Sequence, residues 1–180
     1  MNDAAVPVRP AIEGDLEAIQ RIYNHAILTT TATWDEEPWP VDRRRAWWAE
    51  HQAPGPEQPV LVAEAGGGVV GFACLALMSQ KSGWRFTREN TIYVDEAWRR
   101  KGIGRVLLAA LIAEAERIGL RLLVASITSD NVASIGLHTQ FGFETVGTLK
   151  DAGWKFGRRH STTYMQRRSE ERRVGKECRL

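Results

Sequence analysis

At 180 residues, 43% of them hydrophobic, the chain suits one α/β domain with a sizeable core; it has no apolar run long enough to cross a bilayer and no secretion signal in residues 1–9, so a soluble cytoplasmic protein is expected. The formal net charge of +2 reflects 24 basic and 22 acidic side chains, but residues 168–180 hold five and three of these, which leaves 19 of each in the body and no support for a nucleic-acid partner. Two cysteines, Cys74 and Cys178, make no disulfide framework, and Cys74 lies in an apolar run and reads as a small buried side chain.

Val6-Pro7-Val8-Arg9-Pro10 reads as a short first strand. Glu13-Gly14-Asp15 then starts a helix with Leu16, Ile19, Ile22 and Tyr23 on its apolar face and Asp15 as a candidate cap. The helix fades over 25–28, where His25 reads as a helix-end residue rather than a ligand. Thr29-Thr30-Thr31-Ala32-Thr33-Trp34 is rich in hydroxyls that compete with helical hydrogen bonds. It is either a capped loop or a pocket wall offering hydroxyls and one aromatic face. A second helix is expected over 42–51, with Trp47 and Trp48 available for packing, and Pro54-Gly55-Pro56 ends it.

Strands over 60–64 and 69–78 flank Gly66-Gly67-Gly68 as an antiparallel hairpin. Gly66-x-Gly68-x-x-Gly71 satisfies the dinucleotide-binding pattern, but a strand follows where that motif needs a helix, so no Rossmann site is expected. No P-loop pattern occurs, and no His/Cys/carboxylate cluster has zinc spacing, so no metal is expected. Residues 79–88 form a polar loop containing Trp84 and Arg85. On the following strand, Glu89-Asn90-Thr91-Ile92-Tyr93-Val94-Asp95, the side chains of Glu89, Thr91 and Tyr93 share one face, and those of Asn90, Ile92 and Val94 share the other. A carboxylate at the start of a central strand is either a solvated edge charge or a functional group.

A basic, glycine-containing stretch comes next: Arg99-Arg100-Lys101-Gly102-Ile103-Gly104-Arg105. A helix over 103–118 leaves it, with Ile103, Val106, Leu107, Ala110, Leu111 and Ile118 on one face, and a strand over 122–127 follows. This is a βαβ unit with a glycine turn at its first corner. Gly102 and Gly104 allow a tight turn and a close backbone approach. The unpaired N–H groups and positive dipole end of the helix suit an anion, here a pyrophosphate; the alternative is a charged, solvated loop. Thr128-Ser129-Asp130-Asn131 ends the strand, and Asp130 or Asn131 can cap a short helix over 132–140. Phe141-Gly142-Phe143 turns into a strand over 144–149, Gly153-Trp154-Lys155-Phe156-Gly157 is a loop, and 161–167 is the last strand. Residues 1–167 thus form a single domain. The end of the chain, from Arg168-Ser169-Glu170-Glu171 to Lys176-Glu177-Cys178, looks like the in-frame translation of a sequencing adapter, and 168–180 is set aside as a non-native tail.

Arg99-x-x-Gly102-x-Gly104 resembles the R/Q-x-x-G-x-G/A signature of the GCN5-related N-acetyltransferases, whose loop holds the pyrophosphate of acetyl-coenzyme A. With Asn131, His138 and Phe141-Gly142-Phe143, and with the order β-α-α-β-β-β-α-β-α-β-β, the resemblance covers roughly 6–167. Glu89 to Val94, Leu137-His138, Gly147-Thr148-Leu149, Gly153 to Gly157 and Gly83-Trp84-Arg85-Phe86 look like the phosphinothricin and methionine sulfoximine/sulfone N-acetyltransferase branch. The resemblance implies an α/β (α+β) fold with a mixed central sheet of about seven strands and helices on both faces. It implies acetyl transfer from acetyl-CoA to the α-amine of a small amino acid or analogue, in a homodimer. Glu89 would take the ammonium proton. His138, standing where many relatives carry a tyrosine, would be a second acid/base group or a packed histidine. Ile92, Tyr93 and Val94 would bind the thioester and pantetheine arm; Arg100, Lys101, Gly102, Ile103, Gly104 and Arg105 the pyrophosphate; Asn131 a cofactor amide or a group of the phosphate arm. Arg85 would pair with a substrate carboxylate and Trp84 would form an apolar wall. Another amine, such as a protein N-terminus, and a non-catalytic CoA-binding module are the competing readings.

Overall fold

The computed structural model describes residues 6–169. The elements are β1 (Val8–Pro10), α1 (Leu16–Thr29), α2 (Val41–Gln52), β2 (Val60–Ala65), β3 (Gly68–Leu77), β4 (Thr87–Val94), α3 (Ile103–Arg117), β5 (Leu122–Thr128), α4 (Val132–Gln140), β6 (Glu144–Lys155) and β7 (Arg158–Arg168). Their order is the expected one. All seven strands form one sheet, ordered β1-β2-β3-β4-β5-β7-β6, in which only the β4–β5 pair is parallel.

Alternation along β2 builds a core on each face of the sheet. Val60 and Val62 pack with Ile19 and Ile22 of α1 and with Phe72 and Cys74. Leu61 and Ala63 pack with Leu107, Leu108 and Leu111 of α3. With helices on both faces, β2 and β3 read as near-continuous apolar runs. Gly71, the last glycine of the false dinucleotide pattern, is a packing position: a Cβ there would lie 3.0 Å from the Tyr93 carbonyl oxygen and 3.1 Å from Ile103 and Leu107 of α3.

Three local expectations are corrected. Strand β4 begins inside the expected loop, at Thr87, because Arg88 is buried and its guanidinium donates to the carbonyls of Glu57, Arg85 and Thr87. The Gly153–Gly157 stretch is no loop: β6 continues to Lys155 and β7 starts at Arg158, joined by Phe156 (φ 50°) and Gly157 (φ 73°). Two successive left-handed residues form the turn type that matches strand twist. Asp15 does not cap α1 through its first-turn amides. It accepts from the Arg9 guanidinium at 2.7 and 2.9 Å and from the Ile12 N–H at 2.8 Å, which ties β1 to the helix start.

At the other end, β7 includes Arg168, and Ser169 donates to the carbonyls of Leu120 (2.6 Å) and Arg121 (3.1 Å). Residues 170–180 of the expected tail lie outside the described residues.

Candidate active site

Strands β4 and β5 pair only between Thr87–Glu89 and Leu122–Val124. Beyond that point they separate, and the gap holds a cavity of about 220 Å³. Residues 89–93 of β4, 125–128 of β5, the 31–34 loop, Asn131, and Ser134 and His138 of α4 line it. The Asp95 N–H bonds to the Val70 carbonyl on β3 at 2.9 Å. Backbone groups alternate between the two edges of a strand, so those of Tyr93 and Thr91 also face β3, while those of Ile92 and Val94 face the gap.

The hydroxyl-rich stretch is a wall of this cavity. Three successive carbonyls of the loop each accept from a different element: Thr31 from the Thr128 hydroxyl, Ala32 from the Tyr93 hydroxyl at 3.1 Å, and Thr33 from the Lys155 ammonium at 2.8 Å. Trp34 then lies over Gly153 of β6, where an added Cβ would overlap the indole. Sequence reasoning missed the pinning roles of Thr128 and Lys155. The Gly-Trp-Lys-Phe-Gly string carried the signal, since it sets a glycine and a lysine two residues apart at a hairpin end.

Among the described residues, Glu89 is the only carboxylate that lines the cavity. Burial pushes its carboxyl above the ordinary range. No hydrogen bond or ion pair engages it among the described residues. A base held in that state can take a proton and release it.

Asn90 leaves β4 on the opposite face and also reaches the cavity, because the gap opens both faces at once. His138 is 3% exposed. Its Nδ1 lies 2.8 Å from the Ser134 carbonyl and its Nε2 2.9 Å from Asn90 Nδ2. Burial pulls its pKa below the ordinary histidine value. A carbonyl can only accept, so Nδ1 carries a proton, and burial favours the neutral ring.

The glycine loop has the shape of an anion cradle. Arg100 (φ 58°) and Gly102 (φ 82°) take left-handed backbone conformations, and α3 starts at Ile103. The first helical bonds run from the N–H groups of Arg105 and Val106 to the Gly102 carbonyl. The five N–H groups of Arg100, Lys101, Gly102, Ile103 and Gly104 have no acceptor among the described residues. Gly104 abuts α4: a Cβ there would lie 3.3 Å from Leu137. These groups fit the pyrophosphate of a coenzyme A molecule. Lys101 sits 4.7 Å from the centre of the Trp98 ring, and Arg105 donates to Gln140 at 2.8 Å. Asn131 caps α4, its Oδ1 accepting from the Ser134 N–H at 3.1 Å, so its amide N–H₂ remains as a donor at the cavity.

Trp84 and Arg85 lie apart from these groups. They sit at the short 3-10 turn Ser82–Trp84, and neither lines the cavity. Trp84 is 43% exposed. The Arg85 guanidinium stands 4.7 Å from the Phe86 ring centre and donates to the Ser82 carbonyl at 3.4 Å. Among the described residues, no group of three His, Cys, Asp or Glu side chains could hold a metal ion, and no helix is long and apolar enough to cross a membrane.

Relatives match the chain in sequence and fold across nearly the whole length. Residues 19–143 match the family model described as the acetyltransferase (GNAT) family. The chain is 41% identical over 171 residues to an L-methionine sulfoximine/L-methionine sulfone acetyltransferase of Salmonella typhimurium, covering 95% of this chain and 99% of that one. Among solved structures, a ribosomal-protein-alanine N-acetyltransferase from Brucella melitensis superposes with a TM-score of 0.87 at 41% identity, covering 91% of this chain and all of that one. A phosphinothricin acetyltransferase from Sinorhizobium meliloti in complex with acetyl-CoA gives 0.90 at 32% identity, covering 96% and 93%. The parted strands, the cradle of free amides and this likeness agree: the chain belongs to the GNAT family of acetyltransferases, which use acetyl-CoA.

Proposed function

We propose that the protein N-acetylates the α-amine of a small amino acid or amino-acid analogue of the methionine sulfoximine, methionine sulfone or phosphinothricin kind. The observation that carries this reading is the small cavity with Glu89 as its only carboxylate among the described residues, placed on β4 between the cofactor edge and the wall pinned over it. Bound acetyl-CoA supplies the acetyl group as a thioester: the amine's N–C bond forms, the C–S bond breaks, and of the two protons the ammonium nitrogen loses, one goes to the base and one ends on the departing thiol.

The residues divide the work. Glu89 takes the first proton and returns it to water. The gap-facing backbone of Ile92 and Val94 pairs with the pantetheine arm and polarises the thioester carbonyl, with Tyr93 fixing the wall from the other face. Arg100, Lys101, Gly102, Ile103, Gly104 and Arg105 hold the pyrophosphate, and the Asn131 amide donates to the arm. Arg85 has one protein acceptor at 3.4 Å and so keeps donors for a substrate carboxylate that points out of the cavity, beside Trp84. The chain works in the cytoplasm, where acetyl-CoA is available.

A homodimer is the proposed assembly. Strand β6 is an edge of the sheet, and Val146, Leu149, Trp154 and Phe156 on its hairpin are each more than half exposed. Sedimentation that shows only monomer at micromolar concentration would contradict it.

Acetylation of a protein N-terminus is the second reading, favoured by the likeness to the Brucella ribosomal-protein-alanine N-acetyltransferase. The two separate in one experiment. Thiol release from acetyl-CoA is followed with free amino-acid analogues and with alanine-starting peptides. Turnover of methionine sulfoximine or its relatives above that of every peptide is expected. Peptides turned over best, or no amine turned over at all, would overturn the proposal.

A further inference from the structure

The last rung between β4 and β5 sets Glu89 opposite Val124, and the gap opens past it. Leu123, Ala125 and Ile127 of β5 pack into the core beneath α3. Alternation therefore sets Ser126 on the other face of the sheet, with Glu89, Thr91 and Tyr93, and Tyr93 packs there in the core beneath α1. The two strands run parallel, so Ser126 stands about 6.6 Å beyond the last rung, toward the end of the gap flanked by Ile92 and Val94.

The other hydroxyls that line the cavity are already engaged. Thr31 donates to the Asp130 carboxylate at 3.4 Å, Thr33 shares a bond with the Tyr23 hydroxyl at 3.0 Å, and Tyr93 and Thr128 donate to wall carbonyls. Thr91 engages the thiol of Cys74, its partner on β3, and Ser134 Oγ lies 3.5 Å from His138 Nδ1. Ser126 Oγ has no partner among the described residues. Nor is it sealed off: the enclosed side-chain atoms without a partner belong to Arg44, His51 and Asn90, whereas Ser126 is half-buried and lines the cavity. The Glu89 carboxylate is open and unengaged in the same way. One face of the sheet thus offers the gap a free carboxylate from β4 and a free hydroxyl from β5.

We propose that Ser126 is a second amine-binding residue, its hydroxyl oxygen accepting one N–H of the incoming amine while Glu89 takes a proton from the same nitrogen. A neutral hydroxyl has lone pairs to offer and no charge, so it orients the nitrogen without competing for the proton. It suits an amine that keeps an N–H after giving one proton to the base. With one N–H held from β5 and one proton leaving toward β4, the nitrogen's lone pair forms between the strands, on the side of the thioester. The proposal rests on the amine-acetylation reading above.

The test uses steady-state kinetics with methionine sulfoximine and acetyl-CoA, acetyl-CoA affinity by calorimetry, and melting temperature. Ser126→Ala should raise KM for the amine about three- to tenfold, the worth of one hydrogen bond, and keep kcat within about threefold. Acetyl-CoA affinity, the pH profile and the melting temperature should not move. Ser126→Thr and Ser126→Val share one shape, suit a strand and differ in the hydroxyl, so the pair isolates that group from the added bulk. The threonine variant should exceed the valine variant in kcat/KM for the amine by the same three- to tenfold. Equal kcat/KM in those two variants would overturn the proposal, as would a KM in Ser126→Ala within twofold of wild type. A hundredfold fall of kcat in Ser126→Ala would make the hydroxyl a proton carrier and overturn it too. A wild type that releases no thiol with any amine removes the acetylation reading beneath the proposal; a wild type that turns over, with the threonine and valine variants alike, removes this proposal alone.

Discussion

Glu89→Gln should slow the enzyme and stabilise the fold at the same time. The substitution keeps the shape and removes the charge. Among the described residues Glu89 is the only carboxylate lining the cavity, so no second carboxylate there stands in for it. The full worth of a general base, about 10²–10⁴-fold in kcat or roughly 3–5 kcal/mol of barrier, should be lost. Stability moves the other way. Burial raises the Glu89 carboxyl above its ordinary value of 4.5, so folding favours the protonated form. The folded protein is unpenalised below the unfolded pKa and loses stability as pH rises through the raised one. At neutral pH the charged form is therefore a cost to the fold that glutamine removes, the usual trade between an activated group and stability. The assay pairs stopped-flow thiol release with thermal melts from pH 4 to 9. Wild-type activity should fall on the acid side at a pH above the ordinary carboxylate range. The variant should lose that limb and gain rate as rising pH supplies free amine. Wild-type kcat in the variant at neutral pH with chemistry rate-limiting, or a lower melting temperature there, would refute the reasoning.

Other consequences can be measured directly. Gly104→Val should weaken acetyl-CoA binding by about tenfold or more, since its side chain must displace Leu137 at 3.3 Å, and Gly102→Val should add about 1–2 kcal/mol of backbone strain at φ 82°; tight binding by a folded double variant would exclude the loop as the pyrophosphate site. Gly153→Val should push Trp34 off β6 and raise KM for the amine while α3 and its loop keep their cofactor affinity, because even a bare Cβ at that position overlaps the indole. Cutting the chain after Arg167 should lower the melting temperature by a few degrees, about 1–2 kcal/mol, through loss of the bonds from Ser169 to Leu120 and Arg121.

The order of elements and the glycine turn before α3 were legible in the sequence because they rest on local signals. Period-3.6 apolar positions mark α3, two glycines mark its start, and Asn131 marks the start of α4, which spans the expected residues. What the sequence could not show depends on which strands part company. The gap opens where β4 leaves β5 after Glu89, a tertiary event with no residue signature. That gap is why Glu89 and Asn90, on opposite faces of one strand, meet one cavity. It is also why Thr31, Ala32 and Thr33 are a wall: their donors come from β4, β5 and β6, far away in sequence. The Gly153–Gly157 stretch misled because its glycines and aromatics look like loop chemistry, yet the pairing partner across a two-residue turn makes it strand.

The most direct test of the account is a crystal structure with acetyl-CoA and the slow variant Glu89→Gln in the presence of methionine sulfoximine. The pyrophosphate is expected on the amides of residues 100–104, the thioester between β4 and β5 beside Ile92 and Val94, and the amine nitrogen within hydrogen-bond reach of the carboxamide that replaces the Glu89 carboxylate. An amine bound outside that gap, or a thioester more than one side chain away from position 89, would contradict it.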